Sequence, residues 1–266
     1  MNPIAFTIFG KDIHYYGICI ALGFLAATGI MLWKRKRAGM TKDQVFDLAM
    51  LALFTGILGA RALHVIQNWE GHRGIMWIFR IDEGGLVFYG GFILAITCVM
   101  IYARRKKISV PALLDVTAPG IAIAHAFGRL GCYLQGCCFG KTAWNSSCAI
   151  RFPLDPKPGR FPQKMWCPDG FTVPVYPTQL WESGANVLLC VLLLCICRKF
   201  PRAGQIAGIY LILYAIARFS LEFFRGDNPE LLLGLTTSQA IALFLMIPAG
   251  ALLLIFAKDR PELEHA

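Results

Sequence analysis

Long apolar stretches separated by short polar segments dominate the chain from end to end. Seven of these stretches reach roughly 17–25 residues, the length that a helix needs to cross the hydrocarbon core of a bilayer. The pattern therefore predicts an all-α polytopic integral membrane protein built as one domain over residues 1–266. The predicted spans are residues 13–33, 45–66, 85–103, 111–128, 179–197, 205–224 and 236–257.

The longest segment between two spans is the head segment, residues 134–176, which is rich in Pro, Gly and aromatic residues. We expect it to fold outside the membrane. The composition supports the membrane class, because 56% of residues are hydrophobic and 16% are charged, against about a quarter charged in a soluble domain. The formal net charge of +10 falls mostly in loops beside spans, so the sequence predicts no nucleic-acid partner.

Basic residues concentrate in alternate loops, which sets the predicted orientation. They occupy residues 34–37, 104–107 and 198–202, and Lys258 and Arg260 follow the last span. The positive-inside rule places such loops in the cytoplasm. We therefore predict a cytoplasmic C-terminus, with the N-terminus and the head segment on the outer side.

Several charged residues fall inside the predicted spans or at their outer ends. An arginine at a span centre costs about 2.5–3.5 kcal/mol on insertion scales and normally faces a partner or a polar cavity. In "YAIARFSLEFFR" the polar residues are spaced by four, four and three, so they share one helical face. That face predicts either an internal ion network or a cavity for an anion. Its residues are Tyr214, Arg218, Glu222 and Arg225.

Two further arginines lie next to histidines. Arg61 is one turn from His64, and Arg129 is four residues after His125. Each histidine is either a helix contact or a candidate base. Glycines beside Arg129 allow close approach, either by a lipid headgroup or by another helix. These glycines are Gly128 and Gly131.

Two motifs at span entrances carry further polar residues. In "VYPTQLWESG" Glu182 is a candidate capping or ion-pair residue at the start of the fifth span. In "GGLVFYGG" four glycines surround Tyr89, which predicts either a ligand site or a bent start of the third span.

Ten cysteines are present, and five of them fall on the predicted outer side. That side is usually oxidising, so one or two disulfides are expected there unless the source is anaerobic. A metal site is the alternative, but no CxxC pair or His-rich spacing supports it, and the sequence predicts no metal and no cofactor. The five outer cysteines are Cys132, Cys137, Cys138, Cys148 and Cys167.

Six motifs in order along the chain resemble those of the bacterial phosphatidylglycerol:prolipoprotein diacylglyceryl transferases. They are "HYYGICIALGF", "GARALHVI", "GGLVFYGG", "GRLGCYLQGCCFGK", "YPTQLWESG" and "YAIARFSLEFFRGDNPE". Each motif alone is weak, but their order and the seven spans together are specific for the family.

The resemblance implies an enzyme that transfers the diacylglyceryl group of phosphatidylglycerol to a thiol. The acceptor is the lipobox cysteine of a prolipoprotein signal peptide, and the reaction is the first step of lipoprotein maturation. It also implies a bacterial inner-membrane protein, which we expect to be monomeric. Alternatives are a divergent member acting on another lipid or acceptor, and a lipid-binding or transport protein without chemistry.

The resemblance also implies roles for individual residues. Arg129 matches the arginine of the family signature, and Arg218 matches the essential arginine of the sixth span, with Glu222 and Arg225 as the pair that follows it. The remaining matches are predicted substrate-binding residues, namely Tyr16, Tyr214, Arg61 and Glu182.

Two departures from the family pattern affect the predicted chemistry. Tyr89 stands where the family has histidine, and Cys132 and Cys137 stand where it has asparagine and glutamate. A phenol is an inefficient base at neutral pH. Either Tyr89 only donates a hydrogen bond, or the proton-accepting role belongs to His125 or His64.

Overall fold

A computed structural model describes residues 3–8, 11–69, 75–79, 85–154, 165–226, 230–232 and 234–257. Helices dominate it, as predicted. Two short antiparallel strand pairs accompany them: β1 (Ile4–Ile8) with β2 (Lys11–His14), and β3 (Glu230–Leu232) with β4 (Leu235–Thr236). The helices are α1 (Tyr15–Lys34), α2 (Lys42–Gln67), α3 (Phe88–Arg105), α4 (Val110–Gln135), α5 (Thr178–Ile196), α6 (Gln205–Glu222), α7 (Thr237–Ile241) and α8 (Ile247–Ile255).

Within the described residues, seven helical segments are long and apolar enough to cross a membrane, which confirms the predicted architecture. The seventh is Thr237–Ile255, in which a π-helical turn at Ala242–Met246 joins α7 to α8. Large apolar side chains on these segments are exposed, such as Leu188 at 71% and Phe244 at 66%. Such a surface is suited to contact with lipid tails.

One predicted boundary differs clearly from the structure. The fourth span was expected to end at residue 128, whereas α4 continues to Gln135. Glycines at 128 and 131 lower helix propensity but do not break a packed helix. Arg129 and Cys132 therefore lie within α4 instead of in a loop after it.

The chain forms two compact units, residues 31–113 and residues 1–30 with 114–266. In the first of these, α2 and α3 pack with their backbones very close together at Gly59 and Gly90, since a Cβ on either would overlap the other's carbonyl. Small residues of this kind permit close helix packing in membranes.

The unit that contains residues 114–266 has its apolar core among α4, α5 and α6. Its buried residues include Ala118 and Ala122 of α4, Leu193 of α5 and Ile206 of α6. The head segment adds a smaller core of Phe152, Met165 and Val175. The segment is held by isolated antiparallel bridges, including Ile150 with Val175.

Asp115 of α4, which the sequence analysis did not identify, caps the start of α6. Its side chain is 2% exposed and accepts hydrogen bonds from the backbone N–H of Gly204 (3.0 Å) and of Ala207 (2.9 Å). Gly204 itself adopts a left-handed φ of 100° and has no side chain with which to cap the helix. A carboxylate at a helix N-terminus satisfies orphan N–H groups and interacts favourably with the helix dipole.

We expect Asp115→Ala to lower the free energy of unfolding by about 2 kcal/mol, because it removes this cap. The measurement is thermal or denaturant unfolding of the purified protein in detergent micelles. Asp43→Ala is the matched control, since Asp43 is an exposed acidic residue in the first turn of α2. An equal loss in both variants would contradict the capping role.

Candidate functional site

Glu182 of α5 lies at the centre of a buried ion network and is 3% exposed. Its Oε1 is 3.0 Å from Nε of Arg129 and 3.3 Å from Nε2 of His125, both on α4. Its Oε2 is 3.8 Å from Nη1 of Arg225, just after α6. A single carboxylate thus connects residues from three consecutive helical segments, as the ion-pair interpretation of Glu182 predicted.

A second carboxylate, Glu222, extends the network along α6. Its Oε2 is 2.6 Å from Nη1 of Arg218 and 3.9 Å from Nε of Arg225. Thr236 donates its hydroxyl to Oε1 of Glu222 at 2.7 Å, and Arg218 donates from Nη2 to the Ser238 hydroxyl at 2.9 Å. The spacing along α6 correctly predicted that Arg218, Glu222 and Arg225 share a face.

Among the residues that the structure describes, the network contains more positive than negative charge. Three arginines face two glutamates: Arg129, Arg218 and Arg225 against Glu182 and Glu222. All five side chains are at most 15% exposed. Charge in a low-dielectric environment is costly unless it is paired, so one bound anion would complete the balance. Arginine also matches phosphate geometrically through bidentate hydrogen bonds.

Two aromatic residues predicted to bind substrate lie in the same unit. The ring of Tyr214 is 5.4 Å from the imidazole of His125, centroid to centroid, so it borders the network. Tyr16 at the start of α1 packs against Gly131, where an added Cβ would be 3.1 Å from its Cδ2.

The two glycines flanking Arg129 have different surroundings. At Gly131 the neighbouring space is filled by Tyr16 and by Cys19, whose Cβ would be 3.2 Å from an added Cβ. This is helix packing, the alternative to a headgroup contact. At Gly128 an added Cβ would be 3.7 Å from Ile20, an ordinary contact. Room for a ligand at either glycine stays a prediction.

Three residues predicted from the sequence belong to the unit of residues 31–113. Arg61 is 1% exposed and donates to the carbonyls of Trp77 (3.1 Å) and Gly85 (3.3 Å). His64 lies against Gly85, and Tyr89 is 55% exposed at the start of α3. Arg61 therefore stabilises the backbone that precedes α3 through hydrogen bonds, a role that the sequence did not indicate.

The C-terminal end of α4 reverses direction through Gly136, whose φ is 70°. The N–H of Cys137 donates to the carbonyl of Cys132 at 3.1 Å, and that of Gly136 donates to the carbonyl of Tyr133 at 3.0 Å. This pair of bonds is a Schellman motif, in which a left-handed glycine closes the helix. It folds Cys137 back onto the last turn of α4.

Three thiols meet at this turn. The Sγ atoms of Cys132, Cys137 and Cys138 all lie within 4.8 Å of one another. Hydrogen bonds from Cys132 and Cys137, followed by the charges of Arg129 and Arg225, lower the pKa of the Cys138 thiol. All ten cysteines of the chain are free, so the disulfides expected from the sequence are not formed in this structure.

Two side chains at the start of α5 hold the backbone of Cys137 and Cys138 in place. The sequence analysis assigned no role to either of them. Gln179 is fully buried and donates from Nε2 to the carbonyl of Cys137 at 2.8 Å, and Thr178 donates to the carbonyl of Cys138 at 3.3 Å. Both residues lie in the motif "YPTQLWESG", in which the sequence analysis identified only Glu182. The only available signal was that polar side chains at a span entrance favour buried partners.

Gly140 positions Arg225 and was also missed. Its N–H donates to the carbonyl of Tyr176 at 2.9 Å, and the N–H of Lys141 donates to the carbonyl of Phe224 at 2.7 Å. A Cβ at Gly140 would lie 2.7 Å from the carbonyl oxygen of Phe224. The position therefore requires glycine.

Comparison with known proteins yields consistent matches over nearly the whole chain. The family model for prolipoprotein diacylglyceryl transferase matches residues 3–256. The chain is 36% identical over 255 residues to phosphatidylglycerol–prolipoprotein diacylglyceryl transferase 2 of Clostridium perfringens, covering 96% of this chain and 94% of that protein. It is 34% identical over 247 residues to the transferase of Clostridium tetani (93% and 94% covered) and 34% identical over 252 residues to that of Dehalococcoides mccartyi (94% and 91% covered).

Proposed function

Because the chain belongs to the prolipoprotein diacylglyceryl transferase family, we propose that it transfers the diacylglyceryl group of phosphatidylglycerol to a lipobox cysteine. The acceptor sulfur forms a bond to the glyceryl carbon, and the bond from that carbon to the phosphate oxygen breaks. Glycerol phosphate leaves, a thioether forms, and the thiol proton is lost. This is the first step of lipoprotein maturation.

The observation that carries this proposal is the surplus of positive charge in the buried network around Glu182. Arg129 and Arg225 both lie within ion-pair distance of this one carboxylate, so their guanidinium groups are close to each other. A phosphodiester held between them would neutralise the surplus. The same groups would stabilise the charge that develops on the leaving phosphate.

Each remaining residue of the network has a role in this scheme. Glu182 and Glu222 orient the arginines, since each carboxylate binds two of them. Arg218 is placed by Glu222 and Ser238, and Tyr214 borders His125. Both substrates are amphipathic and enter sideways from the bilayer between helices.

The thiol must lose its proton before it attacks. His125 is a candidate base, but its Nε2 already lies 3.3 Å from Nε of Arg129 and 3.3 Å from Oε1 of Glu182. An imidazole held in this way serves to orient the network as much as to accept a proton. Tyr89 and Arg61 belong to the unit of residues 31–113, and their parts in the chemistry stay predictions from the sequence.

The direct test is transfer by the purified protein. A lipobox peptide is incubated with phosphatidylglycerol vesicles, and mass spectrometry detects the thioether-linked product. A peptide with serine in place of cysteine and vesicles of phosphatidylethanolamine are the controls. Product from phosphatidylethanolamine or on another acceptor would favour the divergent transferase. If no combination of lipid and acceptor peptide gives a product, the protein is a lipid-binding or transport protein without transferase chemistry.

The protein is a multi-pass membrane protein, and we propose that it resides in the bacterial inner membrane as a monomer, with its N-terminus outside. The basic loops at residues 104–107 and 198–202 support this orientation, whereas Lys258 and Arg260 lie outside the described residues.

Reporter fusions and cysteine labelling in intact cells test this orientation. We expect cysteines introduced at residues 104–107 and 198–202 to be protected from a membrane-impermeant reagent, and Cys148 of the head segment to react. Labelling of the basic loops from outside would show that the orientation is the reverse of the one proposed.

A further inference from the structure

The three thiols at the end of α4 are held together by backbone geometry. Gly136 reverses the chain so that Cys137 contacts Cys132, with its Sγ 3.7 Å from the Cys132 carbonyl. Cys138 then adopts a positive φ of 59°, which is unusual for a residue with a side chain. A backbone conformation of this kind costs about 1–3 kcal/mol and is concentrated at functional sites.

The cluster has the chemistry and dimensions of a metal site. Three thiolates at about 2.3 Å from a tetrahedral zinc ion lie about 3.8 Å from one another. The observed Sγ separations are all within 4.8 Å, which is at most about 1 Å longer than that value. Soft sulfur ligands favour zinc over the hard cations that oxygen ligands bind.

The surrounding charges suit a metal–thiolate centre. Three thiolates and one divalent ion carry a net charge of −1, and Arg129 and Arg225 both act electrostatically on Cys138. The backbone around the thiols is fixed by Gln179 and Thr178 of α5. Ligands that are held in place by their neighbours are characteristic of functional metal sites.

We propose that Cys132, Cys137 and Cys138 bind one zinc ion whose fourth coordination position takes the thiol of the acceptor peptide. Three protein ligands with one open position distinguish a catalytic zinc site from a closed structural one. A thiol that coordinates zinc is deprotonated outright. The part that concerns the acceptor rests on the proposed transferase function, whereas the metal site does not.

This assignment supplies the deprotonation of the acceptor thiol, for which a phenol is an inefficient base. The acceptor S–H bond is broken on coordination and its proton goes to solvent. The bound sulfur then attacks the glyceryl carbon while the carbon–oxygen bond to phosphate breaks. No oxidation or reduction takes place. Two of the three ligands, Cys132 and Cys137, occupy the positions at which the sequence departs from the family pattern.

Cobalt binding tests the metal site. The full-length protein in detergent, with thiols reduced and metal removed, is titrated with Co²⁺ as a spectroscopic substitute for zinc. We expect one equivalent to bind with a thiolate-to-metal charge-transfer band, and zinc to displace it. Cys132→Ser, Cys137→Ser and Cys138→Ser should each weaken binding at least as much as the 10–100-fold typical of a lost outer partner.

Cys148→Ser is the matched control, since Cys148 is an exposed free thiol of the head segment, and it should bind cobalt normally. Absence of the charge-transfer band in protein whose thiols titrate as reduced would overturn the proposal. So would an undiminished band in all three cluster variants.

The acceptor's position is tested separately. A lipobox peptide added to the cobalt-loaded protein should shift the visible absorption bands, and the serine peptide should not. If the cysteine peptide is transferred at full rate by chelator-treated protein, the acceptor's place on the metal fails while the transferase function stands. If cobalt and peptide bind but no thioether forms, the transferase function fails and the metal site stands.

Discussion

Arg129→Ala is expected to lower the rate of diacylglyceryl transfer by at least about 100-fold, the cost of removing one group positioned at developing charge. Its guanidinium is held by Glu182 at 3.0 Å and lies among the buried arginines of the network. The measurement is the initial rate with phosphatidylglycerol vesicles and a lipobox peptide. Arg129→Lys should recover little, because an ammonium group cannot form a bidentate fork with phosphate.

Arg104→Ala is the matched control for this prediction, because Arg104 is an exposed arginine in the last turn of α3. It should retain the full rate. Helix content and monodispersity in detergent should be the same for both variants. Near-full transfer by Arg129→Ala would show that the arginine has only a structural role.

Glu182→Gln is expected to lower the free energy of unfolding by about 3–5 kcal/mol, the usual cost of breaking a buried ion pair from one side. The amide has nearly the shape of the carboxylate but no charge, so Arg129 and Arg225 lose their common partner. We also expect transfer to fall by about 100-fold, since both arginines would be misplaced. Unfolding in detergent and initial rates measure the two effects.

Asp169→Asn provides the comparison for Glu182→Gln. Asp169 pairs with Arg151 through two hydrogen bonds of 2.8 and 2.7 Å, but its side chain is 51% exposed. Arg151 lowers the pKa of Asp169, yet exposed pairs of this kind contribute little to stability. If Glu182→Gln lowers the free energy of unfolding no more than Asp169→Asn does, Glu182 is not the centre of the buried network.

The membrane-spanning helices could be predicted because their length and hydropathy identify them. The C-terminal end of the fourth was predicted wrongly. The fourth span was predicted to stop at residue 128, since Arg129 is charged. Burial against Glu182 removes that cost, and the helix continues to the first residue that favours a left-handed conformation, Gly136. Gly136 was readable as a C-terminal cap, and this signal would have corrected the boundary.

Contacts between site residues on the same helix could be predicted from the sequence. Contacts between residues on different segments could not. Regular spacing placed Arg218 and Glu222 on one face of α6, as observed. Asp115 caps a helix that begins 90 residues later in the chain, and no local pattern reports such a contact. The cysteine cluster was missed because residues five and six positions apart meet only after a chain reversal.

The distribution of charge among the helices also bears on how the chain enters the membrane. Arg218 and Glu222 neutralise each other within α6, so this segment can partition into lipid as a self-contained unit. In contrast, α4 carries Arg129 and α5 carries its partner Glu182. Each of these two would expose an unpaired charge to lipid if inserted alone, at a cost of several kcal/mol for the arginine. The translocon should therefore retain the fourth segment until the fifth has been synthesised and release the two together.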